Sequence, residues 1–467
     1  MRATKLVCTL GPATASLVPE LVAAGMDVGR INCSHGTREE HDRLLASVRE
    51  AADRAGRPVG VLADLSGPKV RLREVAGGAV ELRTGERFVL RAGLAGPGDE
   101  TGASTSHPGL AADLEPGDRV LLSDGDVELR VESSAGDVVT EVVRGGRARS
   151  RAGVNVPAAR LGLPAIGEKD RADAAWALSA GVDLVAQSFV RRAEDVTELG
   201  ELLGTDGPRI VAKVETRAAV EDAARILEVA DALMVARGDL GVEASPEEIP
   251  VLQKELVSSA RAAGVPVVVA TQMLESMVDV PQPTRAEAGD VANAVFEGAD
   301  AILLSAETAI GSHPVEAAAT AVRIATVAET RGARFLPAPA ERGAPAPSDA
   351  HAVARAAADI AREGGAVAVA CFTRTGRTAA LLSSAGPRVP ILALSPEPRV
   401  VRRLTLHRGI VPRGCVVPGS TDQMLDVMDR LLRQAGLAGP GDPAVLVAST
   451  PFGLARTNLL KVHRLAG

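Results

Sequence analysis

The sequence predicts an α/β protein in three parts: a (β/α)8 (TIM) barrel, a small β-barrel lid domain inserted into it, and a C-terminal open-sheet α/β domain. Three observations carry this. Short apolar strands alternate with helical patterns eight times, one of these units is interrupted by a segment of period-two texture, and beyond a Pro- and Ala-rich stretch the alternation resumes. The division that follows is 1–70 and 154–333 for the barrel, 71–153 for the lid, 334–348 for a linker and 349–467 for the C-terminal domain.

The barrel strands are "TKLVCTL" from Thr4, "DVGRIN" from Asp27, "VGVLADL" from Val59, "DLVAQSF" from Asp183, "RIVAKVE" from Arg209, "DALMVAR" from Asp231, "VPVVVAT" from Val265 and "DAILLSAE" from Asp300. Helical patterns cover 38–55, 169–180, 218–230, 246–263, 286–297 and 315–328. Strand–helix repetition means a parallel sheet, and eight equivalent units close a barrel more readily than they build an open doubly wound sheet. The inserted segment reads "AVELRTGERFVL", "DRVLLSDGDVELRV" and "DVVTEVV", alternating and broken by Gly-Asp turns, which signals antiparallel strands. Because it follows the third strand, it overhangs the C-terminal mouth of the barrel as a lid would. The strands expected in the last domain are "AVAVACF", "PILALS", "GIVPRGCVV" and "AVLVAST".

Composition narrows the function. The chain has 467 residues, 46% of them hydrophobic, with no tyrosine and one tryptophan, so its cores are built from Ala, Val and Leu. Few aromatics and a net charge of −7 argue against a nucleic-acid partner. Cys8, Cys33, Cys371 and Cys415 form no CxxC pair and read as reduced thiols of a cytoplasmic protein. No run of 18 apolar residues points to a membrane span. There is neither a Walker A pattern nor a GxGxxG behind a strand.

Catalytic residues of such barrels sit where the strands end at the C-terminal face. Those ends carry Arg30, Asn32, Ser34 and His35; Asp64, Lys69 and Arg71; Gln187 and Ser188; Lys213 and Glu215; Arg237 and Asp239; Thr271 and Gln272; Ser305 and Glu307. Packing alone would leave mostly capping Asp, Ser and Gly there. Glu215 and Asp239, on adjacent strands, suit a hard divalent cation such as Mg²⁺. Lys213 lies two residues before Glu215 and shares its side of the strand. With Arg30, Lys69 and Arg71 it implies an anion of several charges, as a phosphate ester is. Thr271 and Ser305 offer hydroxyls for proton transfer. Arg237 reads as either an orienting or an interface residue.

At this point "RINCSHG", "GVNVP", "QSFVRR", "AKVE", "LMVARGDLGVE", "ATQMLESM", "PTRAEAGDVANAVFEGADAILLSAET" and "TNLLKVHRL" resemble the pyruvate kinase family from end to end. The resemblance implies phosphoryl transfer from phosphoenolpyruvate to ADP, giving pyruvate and ATP. It implies Glu215 and Asp239 as ligands of Mg²⁺ (or Mn²⁺), and Lys213 and Arg30 as charge stabilisers of the transferred phosphoryl group. The amides of Gly238 and Asp239, with Thr271, would hold the substrate carboxylate, and Thr271 and Ser305 would protonate the enolate. Pro12, His35, Arg71 and Arg192 would face the nucleotide, with Asp124 from the lid. A cytoplasmic homotetramer is implied as well.

Three departures from the family pattern stand out. Many members hold K⁺ through the counterparts of Asn32, Ser34, Asp64 and the Leu65 carbonyl, with a glutamate where Lys69 stands here; a fixed ammonium predicts K⁺-independent activity. Ile310 stands where relatives have lysine. In the last domain "TRTGRT", with Thr373, Thr375, Gly376 and Thr378, resembles a loop for a phosphorylated effector, while "STPFGLARTN" after it is shorter and poorer in glycine than usual. Two alternative functions use the same barrel chemistry: a metal-dependent enolpyruvate lyase or aldolase, and a non-catalytic phosphoenolpyruvate-binding paralogue.

Overall fold

Eight parallel strands close a ring in the computed structural model, which describes residues 2–93, 96–156, 162–337, 348–449 and 457–466. They are β1 (Lys5–Leu10), β2 (Val28–Asn32), β3 (Gly60–Asp64), β4 (Leu184–Gln187), β5 (Arg209–Val214), β6 (Ala232–Ala236), β7 (Val267–Ala270) and β8 (Ala301–Leu304), and β8 pairs back onto β1 with Lys5 opposite Ala301. Strict alternation explains why apolar residues dominate both faces of each strand. Val7, Leu62, Val211, Met234, Val268 and Leu303 pack inside the ring, while neighbours such as Leu6, Val61, Ala212, Leu233, Val269 and Ile302 face the outer helices. A strand buried on both faces has no polar face to show.

The sequence expectations fail at three local points. Residues 218–230 form two helices, Arg217–Glu221 and Ala223–Val229, broken at Asp222, whose carboxylate accepts the Ala193 amide at 2.8 Å. A helix at Val18–Ala24, closed by Gly25 at φ 112, was not anticipated from so short an apolar run. The third is the lid boundary. Val154–Asn155 pairs antiparallel with Arg119–Leu122, and both Val70 and Val156 belong to the lid core. The lid therefore runs from about residue 70 to residue 156, because the two chain crossings into it pair with each other through Val154 N–H and the Val70 carbonyl at 2.9 Å. Its strands form a six-stranded sheet and a two-stranded one around a shared core centred on Phe88, Leu122 and Leu129.

The C-terminal domain holds β9 (Ala368–Phe372), β10 (Ile391–Ser395), β11 (Ile410–Gly414), β12 (Pro443–Ala448) and β13 (Leu459–Arg464), in the order β11-β10-β9-β12-β13 with β13 antiparallel. It seals the floor of the barrel. Leu406 joins the interior barrel cluster from below, and Lys5 donates to the Ile410 carbonyl at 2.6 Å. Buried Asp183, at the foot of β4, takes Arg402 at 2.7 Å and Arg49 at 2.8 Å. A side chain at Gly60 would bring its Cβ within 2.6 Å of Thr405 Oγ1, so this seam requires glycine. Among the described residues no helix is long and apolar enough to cross a membrane.

His407 sits half-buried in that seam beside the Lys5 ammonium, and burial followed by Lys5 pushes its pKa down to about 4. An unfolded histidine takes a proton near pH 6.5. Acidification therefore favours the unfolded chain, and stability present above pH 6.5 is lost as pH falls toward about 4, by up to about 3 kcal/mol. Thermal melts of wild type and His407→Gln between pH 7 and 4 check this; parallel pH curves for the two proteins contradict it.

The candidate active site

The mouth of the barrel is organised by charges that alternate around the ring. Arg30, from β2, donates through Nε to Asp64 Oδ2 at 2.6 Å and through Nη1 to Thr9 Oγ1 at 2.9 Å. Asp64, at the end of β3, also lies 3.2 Å from Lys213 Nζ of β5. Lys213 continues to Glu215 Oε1 at 2.9 Å and to Ser188 Oγ at 2.7 Å. Asp239 stands next to Glu215, and Lys69 Nζ reaches its Oδ1 at 3.3 Å. Five of these six residues come from neighbouring strand ends or the loop behind β3. The sixth, Asp239, is in a helix, Arg237–Glu243, that begins directly behind β6.

Burial sets the electrostatics. For Asp64 the desolvation that would raise its pKa is outweighed by Lys213 and Arg30, which hold the carboxyl below its usual range. Burial likewise works against the Lys213 ammonium, but Asp64 and Glu215 hold its pKa above that of an ordinary lysine. Glu215 behaves differently. Burial raises its pKa and the Asp239 carboxylate adds to the rise, against the pull of Lys213 and the Phe189 amide.

That frustration tests the expected metal. Two facing carboxylates, one of them destabilised as an anion by the other, suit a divalent cation that neutralises both. Among the described residues no group of three His, Cys, Asp or Glu forms a metal cage. Mg²⁺ held by one or two carboxylates, with water and substrate oxygens completing its shell, is the arrangement such a pair fits.

Backbone strain collects at the same rim. Phe189, Thr271 and Gln272 have φ of 54°, 68° and 55°, a region that costs non-glycine residues about 1–3 kcal/mol each. Two of the three are tied to named partners. The Phe189 amide donates to Glu215 Oε2 at 2.7 Å, and Thr271 turns its Oγ1 to accept the Gly238 amide at 2.8 Å. Glu307 is fully buried and ties the last two loops together, accepting from the amides of Leu274 at 3.0 Å and Ser305 at 2.6 Å.

The structure thus brings together Arg30, Asp64, Lys69, Lys213, Glu215, Asp239, Gly238 and Thr271, with Ser305 held on the adjoining β8 loop. Gly238 needs a refinement. Its amide, expected for the substrate carboxylate, is engaged by Thr271, and a Cβ there would be in ordinary contact 3.5 Å from Thr271 Oγ1. Asn32 Oδ1 accepts the Ser34 amide at 3.1 Å, and Ser34 Oγ meets Ser66 Oγ at 3.2 Å. The Leu65 carbonyl accepts Ser188 Oγ at 2.7 Å.

The nucleotide-side candidates stay apart from this network. Pro12 and His35 are exposed. Arg71 donates to the Arg151 carbonyl at 3.2 Å, and Arg192 leans on Asp195 at 3.7 Å. The Asp124 side chain lies outside the described residues. Ile310 is 65% exposed, so no packing role attaches to it. In the C-terminal loop Thr373 Oγ1 accepts the Gly376 amide at 3.0 Å, and Thr378 pairs with Thr457 at 2.8 Å. Thr375 lies exposed in this loop; most of "STPFGLARTN" lies outside the described residues.

Sequence reading missed Thr9, the one polar side chain β1 sends to this network. A threonine in an apolar run has no local signal, and only the pairing of β1 with β2 sets Thr9 opposite Arg30.

Comparison with known proteins follows the same line. Family models for the pyruvate kinase barrel domain and the pyruvate kinase alpha/beta domain match residues 1–318 and 351–463. A pyruvate kinase of Geobacillus stearothermophilus is 42% identical over 473 residues, covering 99% of this chain and 80% of the relative. One from Mycobacterium tuberculosis strain H37Rv is 43% identical over 481 residues, covering 99% and 98%. The crystal structure of a pyruvate kinase from Cryptosporidium parvum superposes with a TM-score of 0.90 at 33% identity, covering 99% of this chain and 96% of that one. Fold and site first define the class, a lidded (β/α)8 phosphotransferase with an appended α/β domain. Within that class, the match runs over 99% of this chain. The chain belongs to the pyruvate kinase family. Neither the lyase nor the non-catalytic alternative finds support in these comparisons.

Asp64 is the buried anion between two cations, so removing it leaves Arg30 and Lys213 uncompensated. Asp64→Ala is expected to destabilise the fold by about 3–5 kcal/mol, measured by thermal or chemical denaturation at pH 7. An unchanged midpoint contradicts this account of the ladder.

Proposed function

We propose that this enzyme transfers the phosphoryl group of phosphoenolpyruvate to ADP as the last step of glycolysis, with Mg²⁺ (or Mn²⁺) at Glu215 and Asp239 and without need of K⁺. The observation carrying the reading is the ladder Arg30–Asp64–Lys213–Glu215, in which two basic side chains flank a buried carboxylate at one mouth. The migrating phosphoryl group approaches metaphosphate in the transition state, with charge spread over its three oxygens, and catalysis of its transfer is largely positioning and electrostatics. Lys213 and Arg30 serve as fixed positive charges that need no reorganisation when the bond to the enolate oxygen breaks. The divalent cation, when bound, supplies charge neutralisation for the substrate oxygens between the two carboxylates. Pro12, His35, Arg71, Arg192 and Asp124 are proposed for the ADP side.

The enolate left behind takes a proton at C3 as its C2–O bond becomes the pyruvate carbonyl. Thr271 suits the delivery of that proton. One of its lone pairs already accepts the Gly238 amide, which leaves its O–H to donate. Ser305 on the next strand end serves the same relay. Lys69 carries the K⁺ reading: its ammonium is directed at Asp239 and is only 23% exposed, rather than turned out to solvent. A second monovalent cation beside it would meet repulsion of about 4 kcal/mol at 4 Å. A homotetramer and a cytoplasmic location rest on family membership, and the hydroxyl-bearing loop Thr373, Thr375, Gly376 and Thr378 is proposed for a phosphorylated effector.

Lys213→Met is expected to lower kcat by about 10²-fold or more, read in a coupled assay of pyruvate release; turnover near wild type refutes the assignment. Activity in buffer free of K⁺ should stay within about 2-fold of that with K⁺. Lys69→Glu should introduce a K⁺ requirement, and strong K⁺ activation of the wild type would sink the Lys69 reading.

A further inference from the structure

We infer that Arg237 is a positioning residue that acts through Thr271, holding that threonine in the backbone conformation its hydroxyl needs. The inference rests on the reading of Thr271 as proton donor and extends it to a residue that touches no substrate. Arg237 opens the helix behind β6, yet its side chain turns back into the protein and is 7% exposed. There it grips the Thr271 carbonyl twice, through Nε at 3.2 Å and Nη2 at 2.5 Å. Its other nitrogen, Nη1, binds Asp290 at 2.5 Å and Gln253 at 3.3 Å, on two outer helices.

The grip answers a local question. Thr271 is β-branched and left-handed at φ 68°, and Gln272 follows at φ 55°. Two such residues in succession persist only where the surroundings over-determine them. The bonds here are reciprocal. Arg237 holds the Thr271 carbonyl, while Thr271 Oγ1 holds the amide of Gly238, the next residue after Arg237. The ends of β6 and β7 are thereby interlocked. A planar guanidinium anchored on its far side by Asp290 can bind one carbonyl with two donors; an ammonium is a single point and cannot reproduce that fork.

The experiment compares Arg237→Gln, Arg237→Lys, Thr271→Ala and the Arg237→Gln/Thr271→Ala double variant in the full-length enzyme with Mg²⁺. It measures kcat, KM for phosphoenolpyruvate, and incorporation of solvent deuterium into the pyruvate methyl group by proton NMR. Arg237→Gln is expected to slow both kcat and methyl exchange by at least about 10-fold, with KM within about 3-fold of wild type. In the Thr271→Ala background the same change should cost less than about 2-fold, because residues acting as a unit are not additive. Arg237→Lys should recover only part of the loss. Independent, multiplicative effects of the two substitutions overturn the inference, as does Arg237→Gln with normal exchange. Unchanged exchange in Thr271→Ala instead overturns the reading of Thr271 and the inference with it. If Arg237→Gln gives no cooperative melt, Arg237→Lys, which keeps a cation for Asp290, is put through the same cycle with the same criteria.

Discussion

A lysine ammonium buried between two carboxylates is the constraint around which this molecule is built. Lys213 is out of water, and desolvation of an isolated charge would strip its proton or unfold the site. Asp64 from β3 and Glu215 from its own strand end keep it charged. Asp64 in turn needs Arg30, and Glu215 is left needing a further cation because Asp239 stands beside it. No single strand supplies a balanced set. Balance requires β2, β3 and β5 to hold their register around a closed ring, so the electrostatics of the mouth depend on closure of the barrel.

The two ends of the barrel divide the work. The floor is sealed: Leu406 enters the interior cluster, Asp183 binds Arg402 from the C-terminal domain, and Gly60 permits a contact that any side chain would block. The mouth carries the strained backbone of Phe189, Thr271 and Gln272 and the unbalanced carboxylate Glu215. A packed floor holds the strands rigid while the rim above stores strain, which is how a stable scaffold carries a site that is locally unfavourable.

The geometry also changes what "ARGD" at 236–239 means. The Gly238 amide, which the family resemblance implies for the substrate carboxylate, donates to Thr271 Oγ1, and space for a Cβ exists there. Arg237, left open between orienting and interface roles, is directed into the protein toward the Thr271 carbonyl. The motif is therefore a joint between two strand ends as much as a list of ligands.

Sequence alone determined the parts whose signals are local. Period-two and strand–helix alternation gave the barrel, the inserted lid and the C-terminal sheet, and the spacing of Lys213 and Glu215 put both on one side of β5. Strand-end charges picked out Arg30, Asp64, Lys69, Lys213 and Asp239 because parallel barrel strands all end at one face. Tertiary structure alone decided which of them meet. The pairing of Arg30 with both Thr9 and Asp64, the lid boundary at Val70 and Val154, the Lys69 contact with Asp239 and the turn of Arg237 onto Thr271 join residues far apart in the chain. No period or propensity records such partners, since a side chain's direction at a loop is set by the charges and carbonyls that the closed ring brings to it.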